Sequence, residues 1–138
     1  MLFRSNPDNS RSQWLKRGSN QVILDAYNAN PTSMKAAIEN FEAANLPHKR
    51  LWIGAMKEMG EASLQEHSDL VKLAERYNWD EVLLVGEEFA RVKGNHRWFA
   101  TSAEAAEYVK DNPPSGATIL VKGSRGSRME LLLDALPS

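Results

Sequence analysis

Val22-Ile23-Leu24-Asp25-Ala26-Tyr27-Asn28-Ala29-Asn30-Pro31-Thr32-Ser33-Met34 reads as the passage from a strand into a helix. The opening apolar run is of the kind found in strands buried on both faces. It stops at an acid, crosses a loop with one Tyr and two Asn, and resumes at a proline. Asn30 is a favoured N-cap, and Pro31 suits the first helical position, where its missing N–H costs nothing. Beyond it Met34, Ala37, Ile38 and Phe41 fall at i, i+3, i+4 and i+7, one face of a helix. In α/β proteins such a junction lies outside the carboxyl ends of parallel strands, where ligands bind.

Moving outward, the same alternation repeats. Strand-like runs occur at 21–26, 49–53, 81–85, 97–100 and 118–121. Helical patterns separate them. His67, Leu70, Val71, Ala74 and Tyr77 share one face, a short helix is expected near 103–110, and Met129, Leu132, Leu133 and Leu136 mark a last one. Ser63 and Glu66, Thr101 and Glu104, and Ser127 and Glu130 each have capping-box spacing. Gly18-Ser19-Asn20 marks a turn, so residues 11–16 and 21–26 are expected to form a hairpin. The predicted fold is α/β: a Rossmann-like, three-layer domain with a mostly parallel sheet of about six strands, one antiparallel edge strand, and helices on both faces. Residues 1–10 are polar and turn-rich and read as a lead-in to a domain spanning 11–138.

Composition narrows the function classes. At 138 residues, 42% hydrophobic and 25% charged, the chain has the make-up of one soluble globular domain. A formal charge of −1 argues against a general nucleic-acid binder. The absence of cysteine excludes disulfides and thiolate metal sites, and fits a cytoplasmic location. No apolar run approaches the roughly 20 residues of a membrane span.

If the main strands are parallel, their carboxyl ends gather Asp25, Tyr27, Asn28, Asn30, Lys122, Ser124 and Arg125, with Arg11 from the hairpin. A carboxylate at a strand end suits a pair of ribose hydroxyls, and Lys and Arg match phosphate or carboxylate. Each has a plainer reading beside it. Asp25 is also an ordinary turn residue, and Asn30 is better read as the helix cap. Lys122-Gly123-Ser124-Arg125-Gly126-Ser127-Arg128 is either an anion nest entering a helix or a solvated loop. His67 sits on an apolar helix face, where a hydrogen-bonded packing role is the usual one. Residues 54–60 have the length of a rim loop, and Met56 and Met59 flank Lys57-Glu58 within it. The four tryptophans read as core or interface anchors. Neither a Walker-type GxxxxGK[ST] nor a GxGxxG occurs, no metal-ligand spacing is present, and no nucleophile–base pair is apparent.

The Asp25–Met34 stretch nonetheless resembles the C-terminal domain of the Mur ligases. Gly54-Ala55-Met56-Lys57-Glu58-Met59-Gly60 followed by His67 is similar to the family's G-x-M-x-E-L/M-G…H element. Val121-Lys122-Gly123-Ser124-Arg125…Met129-Glu130 is similar to its V-K-G-S-R…M-E element. Asn9-Ser10-Arg11-Ser12-Gln13 stands where the family carries an arginine, although the usual preceding glycine is Ser10. Within the family the likeness is to the members that add D-alanyl-D-alanine to UDP-N-acetylmuramoyl-tripeptide in peptidoglycan precursor synthesis.

That resemblance implies an ATP-dependent ligase that works through an acyl phosphate and has three domains, of which this chain looks like the third. Asp25 would hold the ATP ribose, with Tyr27 and Asn28 beside the nucleotide and Arg11 reaching the phosphates. Lys122, Ser124 and Arg125 would line the side where the dipeptide docks, with His67 near it. The P-loop and the main Mg2+ ligands would belong to the domain before this one. The chain is thus expected to be a monomeric fragment that is inactive alone. The alternative from the residues is a non-catalytic nucleotide- or anion-binding module, or a protein-interaction domain, of the same fold.

Overall fold

A computed structural model describes residues 12–25 and 29–137. The described residues form one sheet of six strands: β1 (Ser12–Arg17), β2 (Asn20–Asp25), β3 (Lys49–Gly54), β4 (Glu81–Val85), β5 (Arg97–Phe99) and β6 (Thr118–Lys122). They lie in the order β1-β2-β6-β3-β4-β5. Only the β1–β2 pair is antiparallel, and Gly18 makes its turn with φ of +60°. The hairpin and the parallel remainder agree with the sequence reading.

The helices are α1 (Pro31–Ala43), α2 (Ser63–Glu75), α3 (Ser102–Asp111) and α4 (Glu130–Asp134). Strand residues of alternating parity feed two apolar cores. Ile23, Leu51, Ile53, Leu84 and Leu120 pack with Met34, Ile38, Phe41, Leu70 and Val71 of α1 and α2. Val22, Trp52, Leu83, Ile119 and Val121 pack with Ala105, Val109, Leu132 and Leu133 of α3 and α4. The three layers follow from this division, because central strands apolar at every position must be covered on both sides.

Local chemistry sets the helix ends, with two corrections. The Asn30 side chain accepts from Ser33 N at 2.8 Å, and Ser33 Oγ accepts from Asn30 N at 3.0 Å, closing a capping box. Thr101 caps α3 by accepting from Glu104 N. Ser63 does not cap α2: a 3-10 turn, Gly60–Ala62, runs into the helix and places Ser63 inside it. Ser127 does not cap the last helix either; its hydroxyl donates to Ser124 O at 2.6 Å, and α4 starts at Glu130. The carboxyl end of α1, which lacks a basic residue, is closed by Lys49, whose Nζ donates to the carbonyls of Phe41, Glu42 and Ala44.

Candidate functional site

Parallel pairing aligns the carboxyl ends of β2, β6 and β3, and register makes neighbours of Asp25 and Lys122. Both side chains follow the parity of Ile23 and Leu120, so they lie on the α1/α2 side of the sheet. Lys122 Nζ reaches Asp25 Oδ2 at 2.9 Å, with the lysine side chain 1% exposed and the aspartate 19%. A strand-end carboxylate is therefore fixed in place by a buried cation, with solvent access kept on the aspartate side.

Two glycines bring the next loops together. A Cβ on Gly123 would stand 2.6 Å from Ser127 Oγ and 2.8 Å from Gly54 Cα, and one on Gly54 would stand 2.7 Å from Met129 Cγ. Only a bare backbone lets β3 and β6 end this close. Gly123→Ala is expected to destabilise the fold by about 1–3 kcal/mol, since the obstacle is main chain that cannot rotate away; a shift in the urea midpoint measures it.

The loop after β6 is not an open anion nest. It forms a 3-10 turn, Arg125–Ser127, followed by Arg128 at φ of +54°. Ser124 N donates to Ala55 O, Ser127 N to Ser124 O, and Arg128 N to Arg125 O. Those amides are spent on the fold, and the short α4 that follows does not begin at Ser127. Ser124 Oγ, by contrast, is buried with no hydrogen-bond partner among the described residues, and Arg125 is exposed.

His67 lies beneath this rim and does not open onto it. It is fully buried, its Nε2 accepts from Met56 N at 3.0 Å, and its ring meets Phe89 edge-on at 4.8 Å. An acceptor at Nε2 places the proton on Nδ1, which donates to Ser63 O at 2.7 Å. His67 thus ties the loop after β3 to the start of α2. Met56 is buried with it, and Met59 packs partly against the same core. The tryptophans all pack against the two cores, Trp52 fully buried. Arg11, Tyr27 and Asn28 lie outside the described residues. Asp25, Lys122, Ser124 and Arg125 are brought to one edge, as the sequence leads one to expect.

The sequence reading missed a second ion pair on that edge. Lys57, in the loop after β3, donates to Glu88 Oε2 at 3.0 Å, in the 3-10 turn after β4. Two adjacent acids behind Gly86 look like a solvated turn, and nothing in their spacing points across 31 residues to a lysine. Burial opposes ionisation of Glu88, but a hydrogen bond from its own backbone N–H, the Lys57 hydrogen bond and the lysine charge outweigh it. Together they hold the carboxyl below its ordinary value of 4.5. The fold therefore favours the ionised form, so the stabilisation is complete above 4.5 and is lost as pH falls through the lower folded value. With Lys57 41% and Glu88 24% exposed, solvent keeps this worth below about 1 kcal/mol. Glu88→Gln should accordingly lower stability slightly at pH 7 and cease to do so in strong acid, as measured by denaturation at several pH values.

A cavity of about 660 Å³ between α1 and α2 reaches Pro31 and Met56, but neither Asp25 nor the loop after β6 lines it. Among the described residues no cluster of three or more His, Asp or Glu could hold a metal ion.

Residues 10–125 match the family model described as Mur ligase, glutamate ligase domain. The chain belongs to the Mur ligase family. Among curated Mur ligases it is 27% identical over 132 residues to the UDP-N-acetylmuramoyl-tripeptide–D-alanyl-D-alanine ligase of Borreliella burgdorferi, covering 90% of this chain and 28% of that protein. It is 34% identical over 129 residues to the Escherichia coli ligase of the same name, covering 88% and 28%. Its fold superposes on MurF from Acinetobacter baumannii with a TM-score of 0.76 at 31% identity, covering 88% of this chain and 28% of that one. MurF from Thermotoga maritima, solved with ADP, gives 0.73 at 25% identity, covering 88% and 29%. The chain thus spans less than a third of the length of these four relatives. Among the described residues no helix is long and apolar enough to cross a membrane.

Proposed function

We propose that this chain is the third domain of a cytoplasmic, ATP-dependent ligase that joins D-alanyl-D-alanine to UDP-N-acetylmuramoyl-tripeptide. In this reading residues 11–138 form the domain and 1–10 lead into it. The observation that carries the reading is the carboxyl edge itself: a fixed strand-end carboxylate, Asp25, beside a loop that carries Ser124 and exposes Arg125. It is supported by the likeness to a MurF solved with ADP and to relatives named for this reaction.

In the proposed reaction a carboxylate oxygen of the nucleotide-peptide attacks the γ-phosphorus of ATP, and ADP leaves. The amine of the dipeptide then attacks the acyl carbon, loses a proton and expels phosphate. This domain's part is positioning. Asp25 accepts from the ribose hydroxyls, with Tyr27 and Asn28 beside the nucleotide and Arg11 on its phosphates. Ser124 and Arg125 face the dipeptide. Lys122 acts differently from a direct contact: buried against Asp25, it orients the carboxylate that meets the ribose. His67 acts at one remove, by holding the Met56 amide. Mg2+ neutralises phosphate charge in such reactions; the described residues offer it no cluster, and the proposal gives it to the preceding domain together with the P-loop. Domain closure over the acyl phosphate would exclude water.

The test is a pair of measurements on the chain alone, which is expected to be a monomer. Phosphate release with ATP, UDP-N-acetylmuramoyl-tripeptide and D-alanyl-D-alanine should be absent, and turnover would refute the division of labour. In NMR titrations, weak ATP binding should shift Asp25 and its surroundings. Submicromolar affinity, or shifts confined to the tryptophans, would instead favour a stand-alone binding or interaction module.

A further inference from the structure

With Lys122 withdrawn onto Asp25, a further cation next to the loop after β6, besides that loop's own Arg125, is Lys57. A Cβ on Gly126 would lie 3.6 Å from Lys57 Cγ, so the lysine stem runs over that loop. Its ammonium then reaches the turn after β4 through Glu88. One side chain therefore spans the ends of β3, β4 and β6. Around it the polar groups are incompletely used. Glu88 Oε2 is on Lys57, while Glu88 Oε1 is buried and has no partner outside its own residue. Ser124 Oγ is also buried and has no partner among the described residues, on the loop anchored by Ser124 N to Ala55 O. Ala55 also adjoins Gly86, since a Cβ on Gly86 would stand 2.7 Å from Ala55 Cβ and 3.1 Å from Glu88 Oε1. Gly86, at φ of +127°, thus leaves the space in which the Glu88 carboxylate lies.

Charge balance says what such a pair can accept. An anion alone would draw Lys57 away and leave a three-quarters-buried carboxylate unpaired. A cation alone would strip Glu88 from Lys57. Either exchange loses one pair for each pair gained, so it brings no net pairing. A zwitterion replaces one internal pair by two external ones and strands nothing. We infer that Lys57 and Glu88 form a zwitterion-selective subsite, in which Lys57 takes the carboxylate and Glu88 the ammonium end of the amino substrate. This rests on the reading that the amino substrate docks at this edge, and it adds how its two ends are told apart. Glu88 holds the ammonium as an anion and does not act as a base, in keeping with a carboxyl that stays ionised.

The experiment is an NMR titration of this chain with three probes: D-alanyl-D-alanine, its N-acetyl derivative and its C-terminal amide. The free dipeptide should shift the amides of Lys57 and of residues 86–88, and each blocked probe should bind at least about ten-fold more weakly, because each leaves one charge of the pair unmatched. Glu88→Gln should abolish the preference against N-acetylation and keep the preference against the amide; Lys57→Met should do the reverse. The three probes decide the matter on the unaltered chain even if a variant folds poorly. Shifts at Ser124 and Arg125 with equal affinity for all three probes would overturn the zwitterion subsite and leave the docking edge intact. No dipeptide shift anywhere would overturn both.

Discussion

Asp25→Ala is expected to cost about 3–5 kcal/mol of folding stability, the range for removing one partner of a buried ion pair. The size comes from what is left behind. Lys122 is 1% exposed, so its ammonium would lose its carboxylate with little access to water. The reverse variant should be milder. Lys122→Met keeps most of the buried apolar stem and leaves Asp25, 19% exposed and at the rim, able to draw on solvent. The double variant should recover part of the Asp25→Ala loss, since no cation then remains to be satisfied. Urea denaturation of the three variants checks the ordering. A loss below about 1 kcal/mol for Asp25→Ala would mean that the pair behaves as an exposed one. The same series separates fold from ligand: Lys122→Met should weaken ATP binding through a misplaced Asp25 while leaving dipeptide shifts in place.

His67→Ala comes next in size, at about 3–5 kcal/mol from a cavity and a lost hydrogen bond combined. The imidazole fills a fully buried site beside Phe89 and is the acceptor for Met56 N. Alanine removes the volume and orphans that amide. Because the loop after β3 hangs from the bond, hydrogen exchange at the Met56 amide should accelerate well beyond the global loss of stability. A Met56 amide that stays protected, with a loss below about 1 kcal/mol, would show that the loop is held by other means.

The layers and two of the four helix starts were legible because they rest on local chemistry. Asn30-Pro31 and Thr101 announce helix starts through their own side chains, and alternating apolar runs announce the strands. Ser63 and Ser127 misled for the complementary reason. Capping-box spacing is a necessary pattern, but a 3-10 turn entered first in both places and turned the serines to other partners. At the site, the sequence could gather Asp25 and Lys122 onto one edge but not say that they bind each other. That depends on register, which pairs residues 97 apart, and on parity, which puts both on one face. Treating Lys122 as a ligand contact therefore overlooked its burial. Lys57 and Glu88, 31 residues apart, were hidden for the same reason, with only their places on rim loops as a clue.

The strand order also has a consequence for how this domain comes into being. β6, the last strand in the chain, sits in the middle of the sheet between β2 and β3. Until residues 118–122 leave the ribosome, the nascent chain holds two half-sheets, each with an unsatisfied inner edge of valine, isoleucine and leucine. Such edges invite pairing with other chains, and joining them needs contacts across most of the sequence, which slows folding. Assembly should thus wait for β6 and be nearly all-or-none, and a stop before residue 118 should give aggregate rather than a smaller domain. The strand that brings Lys122 to Asp25 is also the keystone whose arrival turns two sticky halves into one sheet.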